Sequence, residues 1–248
     1  MHKVKIFKNR FIGDGEPVFI IAEAGSNHDG NFEQAKKLID IAAKAKADAV
    51  KFQLFRASKI YNPNCGKIPG KKGKKIDLYK FLEQTELPLK WLYPLKKYAE
   101  SKGLVFIVTP FDEESADELE KISVVAYKIA SPEISHLPLI KHISKKRKPL
   151  ILSTGFSRLS EIEDALDAVY AKKNKNIAIL HCVSSYPAPL EDFNLKVIEN
   201  LKMFFQVPVG ISDHSKDPII IPRLAVLSGA SVIEKHFTLD KNLPTILP

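Results

Sequence analysis

Two apolar rhythms alternate along the chain. Short runs rich in Val, Ile and Phe lie at Val18–Glu23, Ala49–Leu54, Leu104–Thr109, Val125–Ala130, Leu150–Thr154, Ile177–Cys182, Val207–Ile211 and Ser231–His236. They are nearly continuous in apolarity, the pattern of strands buried on both faces of a sheet. Between them, apolar residues recur every three or four positions over Phe32–Ala45, Leu89–Ser101, Glu113–Lys121, Leu137–Lys145, Leu159–Ala171, Leu195–Phe205 and Pro218–Ser228. That spacing predicts amphipathic helices, with Asp112 and Ser157 as caps ahead of the third and fifth. Strand–helix alternation predicts parallel strands joined by helical crossovers. Eight strands favour a closed (β/α)8 TIM barrel over an open doubly wound sheet. No GxGxxG follows the first strand, which weighs against the dinucleotide-binding form of the open sheet.

Three stretches break the rhythm. The start, MHKVKIFKNRFIG, alternates polar and apolar residues and predicts a short strand pair rather than a signal peptide. The connection from Phe55 to Leu87 is long for a strand-to-helix loop and reads as a functional lid. After the eighth strand the sequence runs only through LDKNLPTILP, so the barrel is expected to lack its last helix and to form one domain over residues 1–248.

Composition narrows the classes. With 248 residues, 45% of them hydrophobic, the chain suits a single barrel. No apolar run approaches the roughly 20 residues of a membrane span. Cys65 and Cys182 have no metal-type spacing and suggest no disulfide scaffold, so a cytoplasmic protein is expected. The net charge of +9 is open to two readings, an anionic partner or a solvated lysine-rich surface. Its excess lies in Lys67–Lys80 and Lys141–Lys148, where Tyr79 alone is aromatic, not the interleaved series that stacking on bases requires. Small anions are therefore expected, not nucleic acid.

The strand ends carry the chemistry. In a parallel barrel they converge on one face, where sites are built. Here they read Glu23, Lys51 with Gln53, Thr109, Lys128 with Ser131, Ser153 with Thr154, His181 with Ser184, Ser212-Asp213-His214 and Glu234-Lys235-His236. Lys51 and Lys128 sit in apolar strands, where a charge needs a partner. They could pair with an acid such as Glu23, snorkel outward, or hold a phosphate or carboxylate with hydroxyls of Ser131, Ser153, Ser184 and Ser212. His214 and His236 end neighbouring strands and could share one divalent metal or be core histidines. His181 could be core or site wall. Glu23 could orient or deprotonate a reacting water, and His28 and Asp29, just beyond it, are expected at the rim.

These residues resemble a known family. AEAGSNHDG, VKFQ, YKIASPE, ILSTG, HCVSSYPAP, VGISDHS and VIEKHFTLD, in that order, are similar to the strand-end motifs of the sialic acid synthases. That family includes the N-acetylneuraminate, legionaminate and pseudaminate synthases and SpsE-like spore-coat proteins, and the match runs from about Pro17 to Asp240. The resemblance implies condensation of phosphoenolpyruvate with an open-chain N-acylated hexosamine, assisted by Mn²⁺, with Mg²⁺ or Co²⁺ as alternatives. It implies His214 and His236 as metal ligands. Lys51, Thr109, Lys128, Ser131, Ser153, Ser184 and Ser212 would hold phosphoenolpyruvate. Gln53 and Tyr186 fall on the sugar side, with Glu23 near both substrates, and a homodimer is the assembly implied.

Three departures accompany it. Pro132 stands where the family usually has Gly, LPTILP stands where a PGPDH-like stretch is usual, and the family's antifreeze-like carboxyl-terminal domain is expected to be absent. In the family that domain contributes an Arg to the neighbouring subunit's sugar site. Two alternatives stay open: condensation with a sugar phosphate, and a barrel remnant that binds ligand without catalysis.

Overall fold

The computed structural model describes residues 3–69 and 75–241. A hairpin opens the chain, β1 (Val4–Phe7) pairing antiparallel with β2 (Arg10–Ile12), as the alternation predicted. Eight parallel strands follow: β3 (Phe19–Gly25), β4 (Ala49–Leu54), β7 (Val105–Pro110), β8 (Tyr127–Ile129), β9 (Leu150–Ser153), β10 (Ile177–Cys182), β11 (Val209–Asp213) and β12 (Val232–His236). Their hydrogen-bonded order is β7-β4-β3-β12-β11-β10-β9-β8. The two end strands, β7 and β8, lie against one another, so the sheet comes round into a nearly closed (β/α)8 TIM barrel.

The helices around it are α1 (Phe32–Lys44), α4 (Leu89–Ser101), α5 (Glu113–Lys121), α6 (Leu137–Ser144), α7 (Leu159–Tyr170), α8 (Lys196–Phe205) and α9 (Ile220–Leu227). Each turns an apolar face inward. In α1, Ala35, Leu38, Ile39 and Ala42 are buried while the intervening lysines face water. Asp112 caps α5 as expected, accepting the Ser115 N–H at 3.0 Å. Ser157 does not cap α7. That position belongs to Arg158, whose backbone N–H donates to Glu161 at 2.7 Å, while Ser157 donates to the Gly155 carbonyl at 3.1 Å.

The Phe55–Leu87 connection is more than a loop. It contains α2 (Ala57–Ile60), a hairpin of β5 (Lys67–Pro69) and β6 (Lys75–Asp77), and α3 (Leu78–Thr85). Asp77 caps α3 by accepting the Lys80 N–H, a local signal that net polarity along the stretch conceals. The lysine run at 70–74, the LPTILP stretch and the expected absence of a last helix lie outside the described residues.

Two apolar clusters fill the molecule. The larger lies between strands and helices. The smaller fills the barrel: Phe19, Ile21, Ala49, Ile107, Ile151, Ala178, Leu180 and Val232 point inward and pack against Val4, Ile6 and Ile12 of the hairpin. The hairpin thus closes the amino-terminal end of the barrel. Arg10 locks it there, donating to both carboxylate oxygens of Asp48 at 2.8 and 2.9 Å and to the carbonyls of Pro17 and Val18. No helix among the described residues is long and apolar enough to cross a membrane.

Candidate active site

Strand register assembles the site. Residues paired across parallel strands share a face, so the alignments His236–Glu23, Glu23–Lys51, Gln53–Thr109 and Ser212–Glu234 set one ring of polar groups around the carboxyl-terminal mouth. At the end of β3 the pairing slips by one residue between Glu23 and Gly25. Gly25 takes φ 52°, and a Cβ on it would lie 3.4 Å from a Glu23 carboxylate oxygen. The bulge and the glycine together end the strand with Glu23 aimed into the barrel.

The centre is a square of buried charges. Lys51 Nζ lies 2.8 Å from Glu23 Oε2 and 3.7 Å from Glu234 Oε2, and donates to Thr109 Oγ1 at 3.2 Å. Lys128 Nζ lies 3.7 Å from Glu234 Oε1 and donates to Ser153 Oγ at 2.6 Å and the Ile129 carbonyl at 2.9 Å. Ser212 donates to Glu234 at 2.9 Å, and Gln53 to Glu23 at 3.1 Å. All four ionisable side chains are at most 4% exposed, and burial is the largest single influence on each, though it sets the net direction only for Glu23 and Lys128. It pushes Glu23 above the usual carboxylate range despite Lys51. Burial also presses up on Glu234, but Lys128 and Lys51 outweigh it and hold that carboxyl at about 2. Lys128 is lowered by burial, whereas the acids beside Lys51 more than offset it there.

Beside the charges lies a hydroxyl-lined notch. Ser131 Oγ accepts the Gly155 N–H at 3.0 Å, and Ser184 Oγ is buried without a hydrogen-bond partner. A Cβ on residue 155 would meet Ser184 Oγ at 2.2 Å and Ser131 Oγ at 2.9 Å, so only glycine leaves the notch open. A hydroxyl buried without a partner, in a lining shared with Lys51 and Lys128, is suited to an oxyanion.

Two imidazoles stand on the other side. The His214 and His236 rings are 5.5 Å apart, and burial lowers them to about 4 and about 3, leaving both neutral at pH 7. Tyr186 stacks on His214 with centroids 3.9 Å apart, its hydroxyl 2.8 Å from Nε2. Two neutral imidazoles at this separation fit a divalent cation. Among the described residues no third His, Cys, Asp or Glu joins them, so solvent and substrate would complete the coordination.

A cavity of about 110 Å³ is lined by Glu23, Lys51, Gln53, Lys128, Ala130, Ser131, Pro132, Ser153, Phe156, Ser184, Tyr186, Ser212, His214, Glu234 and His236. Eleven of the twelve residues to which the resemblance gave a role are in this lining, and Thr109 sits behind it on Lys51. Glu234 had appeared only as a strand-end residue with no role. Its signal was a carboxylate two positions before His236, which in a strand places both on one face. His181 is not in the lining; it hydrogen-bonds the Phe193 carbonyl at 2.6 Å. His28 is not at the rim either. It is fully buried against Trp91 and Phe52, while Asp29 accepts from Gln34. A larger cavity, about 370 Å³, opens at the opposite end around Phe7 and Phe106. Its lining is mostly apolar and its Lys96–Glu100 pair is already joined, so the chemistry belongs to the smaller one.

Known proteins place this architecture. The sequence model of the NeuB family matches residues 38–246. The chain is 47% identical over 237 residues to the spore coat polysaccharide biosynthesis protein SpsE of Bacillus subtilis, an alignment spanning 95% of this chain and 64% of that one. It is 43% identical to the N,N'-diacetyllegionaminic acid synthase of Legionella pneumophila, over 94% of this chain and 67% of that one. The crystal structure of N-acetylneuraminic acid synthetase from Leptospira borgpetersenii, in complex with citrate, superposes with TM-score 0.89 at 39% identity, covering 99% of this chain and 82% of that one. The chain thus spans slightly less than two thirds of the length of the spore-coat relative. With the family match running from residue 38 to 246 and relatives above 40% identity along nearly all of its length, the chain belongs to the NeuB family.

Proposed function

We propose that the protein condenses phosphoenolpyruvate with an open-chain N-acylated hexosamine, forming a nonulosonic acid and releasing phosphate. The observation that carries this reading is the pairing of an anion floor, Lys51 and Lys128 with serine hydroxyls, with two neutral imidazoles in the lining of one cavity. The named activities of the legionaminic acid and N-acetylneuraminic acid relatives support it.

In this reaction the enol carbon attacks the sugar aldehyde carbon, water adds to the neighbouring cationic carbon, and the carbon–oxygen bond to phosphate breaks. Lys51 and Lys128, with Ser131, Ser153, Ser184 and Ser212, hold the phosphate and carboxylate, and Thr109 steadies Lys51 from behind the lining. Their burial strengthens each contact. Glu23 takes the proton of the attacking water. Its raised pKa makes it a stronger proton acceptor than an ordinary carboxylate, and Gln53 steadies its other oxygen. His214 and His236 would hold a divalent ion, Mn²⁺ or alternatively Mg²⁺ or Co²⁺, which supplies Lewis-acid polarisation of the aldehyde oxygen. Gln53 and Tyr186 face the sugar. Lys51 and Lys128 are the cations of the described lining, and both serve the floor. That favours an unphosphorylated acceptor over a sugar phosphate.

The test mixes the protein with phosphoenolpyruvate, Mn²⁺ and N-acetylmannosamine or a diacetamido hexose and follows phosphate. Release is expected, and Glu23→Gln should abolish it while phosphoenolpyruvate still binds. Preference for a phosphorylated aldose would overturn the acceptor class. Binding of phosphoenolpyruvate without release with any acceptor would leave a ligand-binding barrel.

A further inference from the structure

The loop from β9 to α7 holds its backbone where its side chain would not choose to be. Among the described residues nine non-glycine positions have positive φ: Lys8, Asp29, Lys46, Ser123, Arg147, Phe156, Lys173, Asn194 and Gln206. Eight are polar or charged. Phe156, at φ 60°, is the large apolar one, and a bulky residue is a rare occupant of the left-handed region.

Hydrogen bonds on both sides hold it there. Gly155 N–H donates to Ser131, Ser157 Oγ donates back to the Gly155 carbonyl, and Arg158 N–H is bonded to Glu161. The consequence is a phenyl ring 79% exposed in the lining of the cavity rather than in the core. Tyr186, 44% exposed, is the other large ring of that lining. Depth sorts the lining by chemistry: Lys51, Lys128 and Ser153 are 2–3% exposed at the floor, and the aromatic rings stand at the mouth. Strain sustained at a site mouth, in a loop fixed by the anion notch itself, points to use of the ring.

We propose that Phe156 is a specificity-determining residue whose ring forms the apolar wall for the second substrate, packing on the C–H face or the acyl methyl of the hexosamine. The identity of that substrate rests on the proposed reaction; the position of the ring does not. A phenyl face offers apolar area to a sugar at small entropic cost, and the ring has no polar atom of its own to satisfy.

Two variants test it. Phe156→Asn keeps a residue at home in the left-handed region but removes the ring, so its melting temperature should not fall below that of the unaltered protein. Phe156→Leu keeps apolar bulk. The KM for N-acetylmannosamine should rise about tenfold in Phe156→Asn and less in Phe156→Leu, with kcat and the KM for phosphoenolpyruvate within about twofold. An unchanged sugar KM in both variants overturns the proposal. So does a parallel rise in the KM for phosphoenolpyruvate, which would assign the effect to the anion notch. Calorimetric titration of N-acetylmannosamine into phosphate-saturated protein separates this from the reaction itself. If the unaltered protein releases no phosphate but binds the sugar, and Phe156→Asn loses that binding, the reaction falls and the role of Phe156 stands. Equal binding by both, or none by the unaltered protein, overturns it.

Discussion

Glu234→Gln probes the balance of charge at the centre of the barrel. The carboxylate lies 3.7 Å from both Lys51 and Lys128 and accepts from Ser212 at 2.9 Å. Held at about 2, it is ionised at neutral pH. Glutamine keeps the shape and can still accept from Ser212, so the change is one of charge. Lys51 retains Glu23 at 2.8 Å, whereas Lys128 is left with neutral partners, Ser153 and the Ile129 carbonyl. Removing one member of a buried ion pair costs about 3–5 kcal/mol, and the remaining hydrogen bonds place this case near the lower end, about 3 kcal/mol. For a chain of this size each kcal/mol moves the melting temperature about 2–4 °C, giving a fall of roughly 6–12 °C. Inorganic phosphate then supplies the missing charge. A phosphate concentration of a hundred times Kd stabilises the unaltered protein by about 2.7 kcal/mol, and the variant should gain more at that concentration, because the anion then meets Lys128 without its counter-ion. Scanning calorimetry with and without phosphate, at matched ionic strength, reads both effects. A fall under about 2 °C, or a gap that phosphate does not narrow, would refute the reasoning.

Three further perturbations address other parts of the structure. Gly155→Ala drives a methyl into Ser184 and Ser131, at 2.2 and 2.9 Å, and should weaken phosphate binding at least about tenfold by calorimetry, with little change in melting temperature because movable hydroxyls absorb the clash. Gly210→Ala meets backbone instead, the Val232 carbonyl at 2.4 Å, and should cost about 3 kcal/mol or more in urea unfolding. His28, lowered by burial from 6.5 to about 4, makes stability depend on pH. As pH falls from 6.5 toward 4 the unfolded chain takes up a proton and the folded one does not, so stability full above 6.5 is lost across that window, by about 3 kcal/mol. His28→Asn, which does not titrate, should remove that share of the stability difference between urea melts at about pH 7 and about pH 4.5, leaving the share of His214 and His236 in place.

The barrel and most of its site were legible because both rest on local signals. Continuous apolar runs mark strands buried on two faces, and a lysine, glutamate or histidine interrupting such a run marks the mouth. Glu234 escaped because its meaning is relational. Only register across β11 and β12, and the reach of two lysines from distant strands, show that it is a second counter-ion. Phe156 escaped for a related reason: STGF reads as an ordinary turn, and exposure of the ring follows from hydrogen bonds to Ser131 and within the loop. His28 misled because a polar residue after a strand end suggests a rim, whereas Trp91 and Phe52, from two other elements, enclose it. Ser157 is the commoner capping residue by type, yet Glu161 reaching back to the Arg158 N–H sets the start of α7 one residue later.

The amino-terminal hairpin has a kinetic consequence. With Val4, Ile6 and Ile12 packed into one end of the barrel and Arg10 bolting them to Asp48, the described residues make the barrel a vessel with a single mouth. A ligand bound at the floor of Lys51, Lys128 and Ser153 has to enter and leave past the rings of Phe156 and Tyr186. Whatever occupies those rings therefore bars the passage in both directions. On the proposed chemistry, the anion must be seated before the sugar, and a sugar resting at the rim should slow the anion's escape without touching it. Order of addition and residence time are then set by the shape of the vessel rather than by relative affinity.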